Sequence, residues 1–265
     1  MRPLRAAWRL VRAVFWLLAL AMDLVVRPAR SAADGAERMH RYCRRVVRAL
    51  GVTWSVEGEV PEGGALVSNH LSYVDILLYA AIRPFVMVAK AEVRGWPGIG
   101  WLTSRAGTVY VVRGGGPETY PGVNRAMAEA YRSGMPVLFF PEGTTTDGSV
   151  EVLPFRRGLF HSVLNEGVPL HTAALSYATD DKKASIADDV CWWGDATLAP
   201  HLVRLTGTDG VRAKVRFGGA VAEREDRFVL SQKAREQVAG MYAELSLAEA
   251  GSVSRAHETE LVQAH

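Results

Sequence analysis

The sequence predicts an α/β fold, in which helices flank a central, mostly parallel or mixed sheet and a basic pair of helices precedes it. From Val52 onward, short apolar runs alternate with stretches of helical periodicity. Runs such as residues 137–140 are apolar throughout, which is typical of strands buried on both faces of a sheet. The first fifty residues differ, because arginines there lie beside apolar stripes of helical spacing. Together these observations favour helices packed around one sheet.

The apolar runs predict strands at 52–57, 65–68, 85–89, 108–112, 136–140, 170–176 and 211–217. The periodic stretches predict helices at 72–82, 118–133, 156–166, 194–206 and 230–246. We therefore expect a helical pair in residues 1–50 and one larger domain in residues 51–250. Residues 251–265 are polar and lack a period, so the sequence predicts a disordered tail there.

The charge of the chain is unevenly distributed. Residues 1–50 carry eleven arginines and three acidic side chains, whereas the whole 265-residue chain has a net charge of only +3. A basic end on a mildly acidic body indicates an anionic partner surface. Because the arginines border apolar stripes and no recognition motif is present, we expect a lipid surface rather than nucleic acid.

The cysteines and histidines point away from metal chemistry. Cys43 and Cys191 are far apart in the sequence, which indicates neither a disulfide framework nor a metal site and fits a reducing, cytosolic setting. The histidines are scattered and none has HExxH spacing. The sequence therefore predicts no bound metal.

The apolar run of residues 13–26 in the first predicted helix is interrupted once, by Asp23. The apolar stripe of this helix comprises Trp8, Val11, Phe15, Leu18, Met22 and Val25. Its most apolar part, residues 13–26, would be roughly 21 Å long as a helix, shorter than the roughly 30 Å hydrocarbon core of a bilayer. The second stripe comprises Ala36, Met39, Cys43, Val46, Val47 and Leu50. We expect a peripheral or monotopic hairpin on the cytoplasmic face of the membrane, its arginines meeting lipid phosphates. The alternative is a helical pair packed on the domain with solvated arginines.

A histidine and an aspartate flank the start of one predicted helix. Ser72 and Asp75 have the spacing of a capping box, which places His70 in the loop just before the helix. A carboxylate that accepts a hydrogen bond from one ring nitrogen leaves the other nitrogen able to take a proton from a substrate hydroxyl. The alternative is that Asp75 only caps the helix and His70 is a solvated loop residue.

A second candidate is the glutamate loop, residues 141–146, which follows the strand at 136–140 and reads Pro-Glu-Gly-Thr-Thr-Thr. Backbone N–H groups and hydroxyls at such a junction can bind an anion or an oxyanion. Glu142 would repel phosphate, so we expect it to meet a substrate hydroxyl or a nearby arginine. A plain turn is the alternative.

Three cations are candidates for phosphate binding. Lys90 ends one predicted strand, Arg113 ends the next, and Arg156 follows the glutamate loop. Arginine binds phosphate through two parallel hydrogen bonds. Taken alone, a cation in such a place is more often a surface residue than a phosphate ligand.

Taken in order, four motifs resemble the 1-acylglycerol-3-phosphate acyltransferase (lysophospholipid acyltransferase) family. They are His70-x4-Asp75, the glycine-to-Arg113 strand, the Phe-Pro-Glu-Gly-Thr block at residues 140–144, and the Val-Pro-Leu block at residues 168–170. The resemblance extends from about residue 65 to residue 176. It implies that His70 is the base and Asp75 its partner, and that Arg113 and Lys90 hold the acceptor's phosphate.

The resemblance further implies that Glu142, Gly143 and Thr144 line the acceptor site, with Arg156 nearby. The expected activity moves a fatty acyl group from acyl-CoA or acyl-carrier protein to the sn-2 hydroxyl of lysophosphatidic acid, with no metal and no cofactor. Thr172 stands where the family has a second proline, and Arg156 where lysine is common. These departures leave another lysolipid, such as lyso-ornithine lipid, open as the acceptor.

Two other functions remain as alternatives. A thioesterase would use His70 to activate water, although no G-x-S-x-G nucleophile motif occurs. A non-catalytic lipid-binding module could keep the fold, although the intact pair of His70 and Asp75 argues against it.

Overall fold

A seven-stranded mixed sheet forms the centre of the protein. The computed structural model describes residues 2–112, 114, 119–149 and 151–263. The strands are β1 (Val52–Glu57), β2 (Ala65–Ser68), β3 (Val86–Lys90), β4 (Val109–Val111), β5 (Val137–Phe139), β6 (Leu170–Ala178) and β7 (Val211–Ala220). Their order across the sheet is β1-β7-β6-β2-β5-β3-β4. Each overlaps a predicted strand, and the predicted fold class is confirmed.

Strand direction decides where loops can meet. The pairs β2–β6, β2–β5, β5–β3 and β3–β4 are parallel, whereas β7 runs antiparallel to β6 and parallel to β1. Five neighbouring strands therefore end at the same edge of the sheet. In open α/β sheets, ligands bind in the crevice outside such carboxyl ends.

Helices cover both faces of the sheet. They are α1 (Arg2–Val26), α2 (Ala32–Ala49), α3 (Tyr73–Ile82), α4 (Ile99–Arg105), α5 (Tyr120–Arg132), α6 (Phe160–Asn165), α7 (Leu198–Gly207) and α8 (Arg227–Gln263). The core on one face contains side chains of α2, α3 and α7, including Val47, Leu78 and Leu205. The core on the other face contains side chains of α5, α6 and α8. The result is a three-layer arrangement.

Two segments differ from the sequence-based prediction. The sequence analysis did not predict α4, because it has only seven residues, too few for a helical period to emerge, and glycines and a proline surround it. The last helix, α8, continues to Gln263, through residues 251–263 where a disordered tail was expected. That stretch contains no proline, the residue that most strongly breaks a helix interior, so the helix that begins at Arg227 can continue through it.

The two N-terminal helices are present, but they face different surroundings. The predicted stripe of α1 is exposed along its length, at 60–64% for Trp8, Val11, Phe15, Leu18, Met22 and Val25. The predicted stripe of α2 is buried apart from the half-buried Met39, and Cys43, Val46, Val47 and Leu50 belong to the domain core. Only α1 therefore presents an apolar face outward. No helix in the described part of the chain is long and apolar enough to cross a membrane.

Several of the arginines expected to meet lipid phosphates instead bind protein groups. Arg2 binds both carboxylate oxygens of Asp181 at 2.9 Å, and Arg9 donates to the backbone carbonyls of Thr206 and Thr208 at 3.1 and 2.8 Å. Arg38 is buried and donates to the Asp23 carbonyl and the Asp34 carboxylate. Arg2 and Arg9 thus tie α1 to the domain, and Arg38 ties α2 to α1, because carbonyls and carboxylates lie within reach of the guanidinium groups.

A close backbone contact joins α2 to the end of α4. A Cβ atom on Gly35 would lie 2.5 Å from the carbonyl carbon of Ala106. We expect Gly35→Ala to lower the free energy of unfolding by about 1–3 kcal/mol, because the backbone must shift to relieve the overlap. Gly240 is also helical but has open space around it, so Gly240→Ala should stabilise by about 0.5–1 kcal/mol. Urea unfolding would measure both, and an equally stabilised Gly35→Ala would contradict the contact.

Candidate active site

The loop between β2 and α3, residues 69–72, is the histidine loop, and an asparagine holds it against β6. Asn69 donates to the carbonyl of Leu175 at 3.0 Å and accepts the N–H of the same residue at 2.9 Å. This pair of bonds replaces strand pairing at the point where β2 ends and β6 continues. The main chain on either side of His70 is therefore fixed. Ser72 is the N-cap of α3, in the capping box expected from the sequence.

The imidazole of His70 is oriented by Asp75. His70 Nδ1 lies 2.8 Å from Asp75 Oδ2. Because a carboxylate oxygen only accepts, Nδ1 carries the hydrogen, and Nε2 keeps its lone pair. In the described part of the chain, Nε2 has no hydrogen-bond partner, and His70 is 9% exposed. Nε2 is therefore a basic nitrogen at the edge of a buried network of hydrogen bonds.

Asp75 is fully buried and its carboxylate accepts four hydrogen bonds. Besides His70, Oδ2 accepts the N–H groups of Leu71 at 2.7 Å and Ser72 at 2.9 Å. Oδ1 accepts the hydroxyl of Tyr177 at 2.6 Å. Such a set of donors compensates the loss of water around a buried charge. Sequence reasoning missed Tyr177, since no local pattern links it to a residue 102 positions earlier.

The face of the imidazole is covered by an aromatic ring. Phe140, the first residue after β5, stacks on His70 with ring centroids 4.0 Å apart and an interplanar angle of 13°. The sequence analysis included Phe140 in the motif without giving it this contact. Stacking and the Asp75 hydrogen bond together restrict the ring to one orientation.

The sequence analysis expected Glu142 to meet a substrate hydroxyl or a nearby arginine, but its carboxyl group instead binds two backbone N–H groups. Its Oε1 accepts the N–H of His70 at 2.7 Å, and its Oε2 accepts the N–H of Leu153 at 2.9 Å. The side chain therefore connects the histidine loop to the segment that follows the glutamate loop. Burial raises the pKa of the Glu142 carboxyl to about 7, against the two backbone hydrogen bonds that lower it.

Gly143 of the glutamate loop packs against Arg156. Gly143 has a positive φ of 74°, and a Cβ there would lie 2.5 Å from Arg156 Nε. Glycine is thus required both by the backbone and by the guanidinium packed on it. The backbone N–H of Arg156 donates to the carbonyl of Pro141 at 2.8 Å, and Thr144 is exposed. Gly143, Thr144 and Arg156 therefore adjoin Glu142.

Lys90 lies on the same edge of the sheet as His70, two strands away. With about 4.8 Å between neighbouring strands, the ends of β2 and β3 are roughly 10 Å apart. The ammonium of Lys90 lies 6.0 Å from the ring centre of Trp96, which in turn contacts Trp192 edge-on at 6.1 Å. The backbone N–H of Trp192 donates to the carbonyl of Leu71 at 2.8 Å. Arg113, the third predicted cation, lies outside the described residues.

The described residues contain no group of three or more histidine, cysteine, aspartate or glutamate side chains that could hold a metal ion. Cys43 and Cys191 are free thiols, both buried.

Comparison with known proteins assigns the chain to a family. The sequence model of a family described as Acyltransferase matches residues 52–176. A lyso-ornithine lipid O-acyltransferase of Pseudomonas aeruginosa is 37% identical over 210 residues, covering 77% of this chain and 79% of that protein. A 1-acyl-sn-glycerol-3-phosphate acyltransferase of Neisseria meningitidis is 30% identical over 241 residues, covering 89% of this chain and 92% of that protein. The chain belongs to the acyltransferase family.

A solved structure agrees with this at the level of the fold. The crystal structure of the 1-acyl-sn-glycerophosphate acyltransferase PlsC from Thermotoga maritima superposes with a TM-score of 0.59 at 20% sequence identity, covering 90% of this chain and 98% of that chain. The predicted fold is thereby confirmed, and the sequence relatives confirm the predicted family. The segment that matches the acyltransferase family contains His70, Asp75 and the glutamate loop but ends one residue before Tyr177.

The buried carboxyl of this acyltransferase makes stability depend on pH. Glu142 has its pKa raised from 4.5 to about 7 in the folded protein, so between these values the folded state holds a proton that the unfolded state releases. The stabilising contribution is complete below the unfolded pKa and is lost as pH rises through the folded pKa.

We therefore expect the wild type to lose up to about 1.4 kcal/mol of unfolding free energy per pH unit from this group between pH 5 and 7. Glu142→Gln cannot titrate and should lack this slope. Urea unfolding of both proteins at pH 5, 6 and 7 measures the difference. Parallel pH dependences would contradict the raised pKa.

Proposed function

We propose that this acyltransferase moves a fatty acyl group from a thioester donor to a free hydroxyl of a lysolipid, with His70 as general base. One observation carries the proposal: His70 Nδ1 is bound to the buried Asp75 at 2.8 Å while Nε2 has no partner among the described residues. A positioned neutral imidazole of this kind suits the removal of a proton from an alcohol.

The reaction then needs no nucleophile from the protein. Nε2 takes the proton of the acceptor hydroxyl as its oxygen attacks the thioester carbonyl carbon, and Asp75 stabilises the imidazolium that forms. When the tetrahedral intermediate collapses, the carbon–sulfur bond breaks. The proton passes from Nε2 to the thiolate, which leaves as a thiol, and the new ester remains on the acceptor.

The first acceptor that we propose is lysophosphatidic acid, acylated at its sn-2 hydroxyl to give phosphatidic acid. Lys90 supports this assignment through its place on the carboxyl edge near the β2–α3 loop, and Arg113 follows the neighbouring strand β4 in the sequence. Cations there can bind a phosphate group. We further propose that Gly143, Thr144 and Arg156 line the acceptor site. Glu142 takes part indirectly, by holding the backbone N–H of His70.

A second acceptor is favoured by the relatives. The Pseudomonas aeruginosa protein named lyso-ornithine lipid O-acyltransferase is 37% identical to this chain, against 30% for the Neisseria meningitidis enzyme named for 1-acyl-sn-glycerol-3-phosphate. An ornithine head group carries a carboxylate, which the same cations can bind. The chemistry at His70 is unchanged, because a hydroxyl is acylated in both cases.

We also propose that α1 docks the enzyme on the cytoplasmic face of a membrane. A helix of 25 residues is roughly 38 Å long, and its exposed apolar stripe extends from Trp8 to Val25. Exposed arginines, among them Arg12, Arg41 and Arg44, remain for lipid phosphates. An apolar stripe with basic margins suits a helix that lies in the plane of the interface. The acceptor and the acyl donor, acyl-CoA or acyl-carrier protein, would meet the site there.

The catalytic proposal predicts that His70→Ala lowers acyl transfer by about 10²–10⁴-fold, because the general base is lost. The exposed His161 lies elsewhere, so His161→Ala should transfer acyl groups as the wild type does. The assay uses purified protein, radiolabelled palmitoyl-CoA or palmitoyl-acyl-carrier protein, and lysophosphatidic acid or lyso-ornithine lipid as acceptor.

The product identifies the acceptor. Transfer to lysophosphatidic acid supports the first assignment, and transfer to lyso-ornithine lipid alone supports the second. Release of free fatty acid without an acylated acceptor would indicate a thioesterase. Unaltered turnover by His70→Ala would refute the base assignment.

The docking proposal predicts that Leu18→Glu weakens binding to phosphatidylglycerol vesicles at least roughly ten-fold, since the stripe of α1 that would enter the membrane loses a leucine and gains a charge. Leu18 is 64% exposed, and Leu247 on α8 is 73% exposed, so Leu247→Glu is a matched control expected to bind like the wild type. Vesicle sedimentation measures both. Equal binding of wild type and Leu18→Glu would exclude docking through α1.

A further inference from the structure

Tyr177 lies outside every motif that the sequence analysis used, yet it touches the centre of the candidate site. Its hydroxyl is 2.6 Å from Asp75 Oδ1, and the side chain is 4% exposed. No other hydrogen bond to Asp75 Oδ1 is present in the described part of the chain. The carboxylate is thus divided between two sets of donors, with His70, Leu71 and Ser72 on Oδ2 and Tyr177 alone on Oδ1.

The sheet explains why this residue reaches Asp75. Strand β6 pairs with β2 only as far as Ser68 and Ala173, and then continues for five more residues paired with β7. Side chains alternate along a strand, so Ala173, Leu175 and Tyr177 share the face on which α3 packs. Asn69 binds the backbone of Leu175, two residues earlier, which fixes the loop on the same stretch of β6.

The tyrosine remains a donor throughout the working pH range. Burial, together with the neighbouring Asp75 charge, raises the pKa of the Tyr177 hydroxyl well above its ordinary range. A phenol that stays protonated next to a buried carboxylate stabilises the ionised carboxylate. Because the two carboxylate oxygens are rigidly joined, the bond to Oδ1 also fixes the rotation that directs Oδ2 towards His70.

We propose that Tyr177 is a positioning residue, which holds Asp75 in the orientation that lets His70 act as the base. The inference rests on the proposed function of His70. Tyr177 touches no substrate in this arrangement and acts only through Asp75. The titratable groups around Asp75 are His70 and Glu142, with Tyr79 on α3, Tyr177 on β6 and Cys191 after β6.

The sign of the effect on pH dependence follows from charge. Without the hydroxyl of Tyr177, the negative charge of Asp75 is less stabilised, so Asp75 attracts a proton on His70 more strongly. The imidazole then loses its proton at a higher pH. The acid limb of the profile of kcat/KM, which reports the free base, should move upward.

The test is Tyr177→Phe. We expect kcat to fall roughly 10- to 100-fold with KM for donor and acceptor unchanged, because a bond to a charged group is lost while the substrate contacts remain. The acid limb should move up by roughly 0.5–1 pH unit. Glu142 is present in wild type and variant alike, so its own titration does not distinguish them.

Tyr79 provides a matched control. It is also a fully buried tyrosine on the same face of the sheet, but its hydroxyl donates to Ser68 Oγ at 2.7 Å rather than to Asp75. We expect Tyr79→Phe to leave the acid limb at the wild-type position, even if stability falls. If both variants shift the limb equally, the effect is one of packing and the inference is overturned.

A second substitution covers the case in which Tyr177→Phe does not fold. Site-specific incorporation of 3-fluorotyrosine at position 177 keeps the hydroxyl and makes it a stronger donor, so the acid limb should move downward. An unshifted limb in the fluorinated protein would overturn the inference.

His70→Ala separates this inference from the proposed function. Wild-type turnover in His70→Ala would refute the base role and the Tyr177 role with it. An inactive His70→Ala together with a wild-type profile in Tyr177→Phe would refute the role of Tyr177 alone.

Discussion

The carboxylate of Asp75 is the group on which the candidate site depends. It is fully buried, and a buried charge is tolerated only when hydrogen-bond donors replace the water that it has lost. Four donors do so: the imidazole of His70, two backbone N–H groups and the hydroxyl of Tyr177. The four donors come from three parts of the fold: His70 and Leu71 from the histidine loop, Ser72 from the start of α3, and Tyr177 from the end of β6. The orientation of His70 is therefore a property of the whole edge of the sheet.

A second buried carboxyl group, that of Glu142, also binds the backbone at this edge of the sheet. Glu142 accepts the N–H of His70 and the N–H of Leu153, so it connects the histidine loop to the segment after the glutamate loop. Phe140, two residues earlier, covers the face of the imidazole. The Phe-Pro-Glu-Gly-Thr block thus supports the histidine through backbone and stacking contacts.

The two N-terminal helices have similar compositions, but their apolar stripes have different surroundings. Both helices are basic and both have an apolar stripe, but α2 places its stripe in the core while α1 leaves its stripe exposed. Arg2, Arg9 and Arg38 bind acceptors on the protein, which fixes α1 to the domain. The exposed stripe of α1 is consequently held in a defined position relative to the edge that carries His70.

The sequence by itself determined the fold class, the strand positions and the two N-terminal helices, because these follow from periodicity. It also predicted the pairing of His70 with Asp75, which are close in the chain, but left a plain helix cap as the alternative. It did not determine that the α2 stripe is buried, that Glu142 faces backbone N–H groups, or that Tyr177 binds Asp75. Those features depend on which strand lies beside β2 and how far β6 extends past it. Local pattern carries no information about such distant neighbours, so only the tertiary structure could decide them.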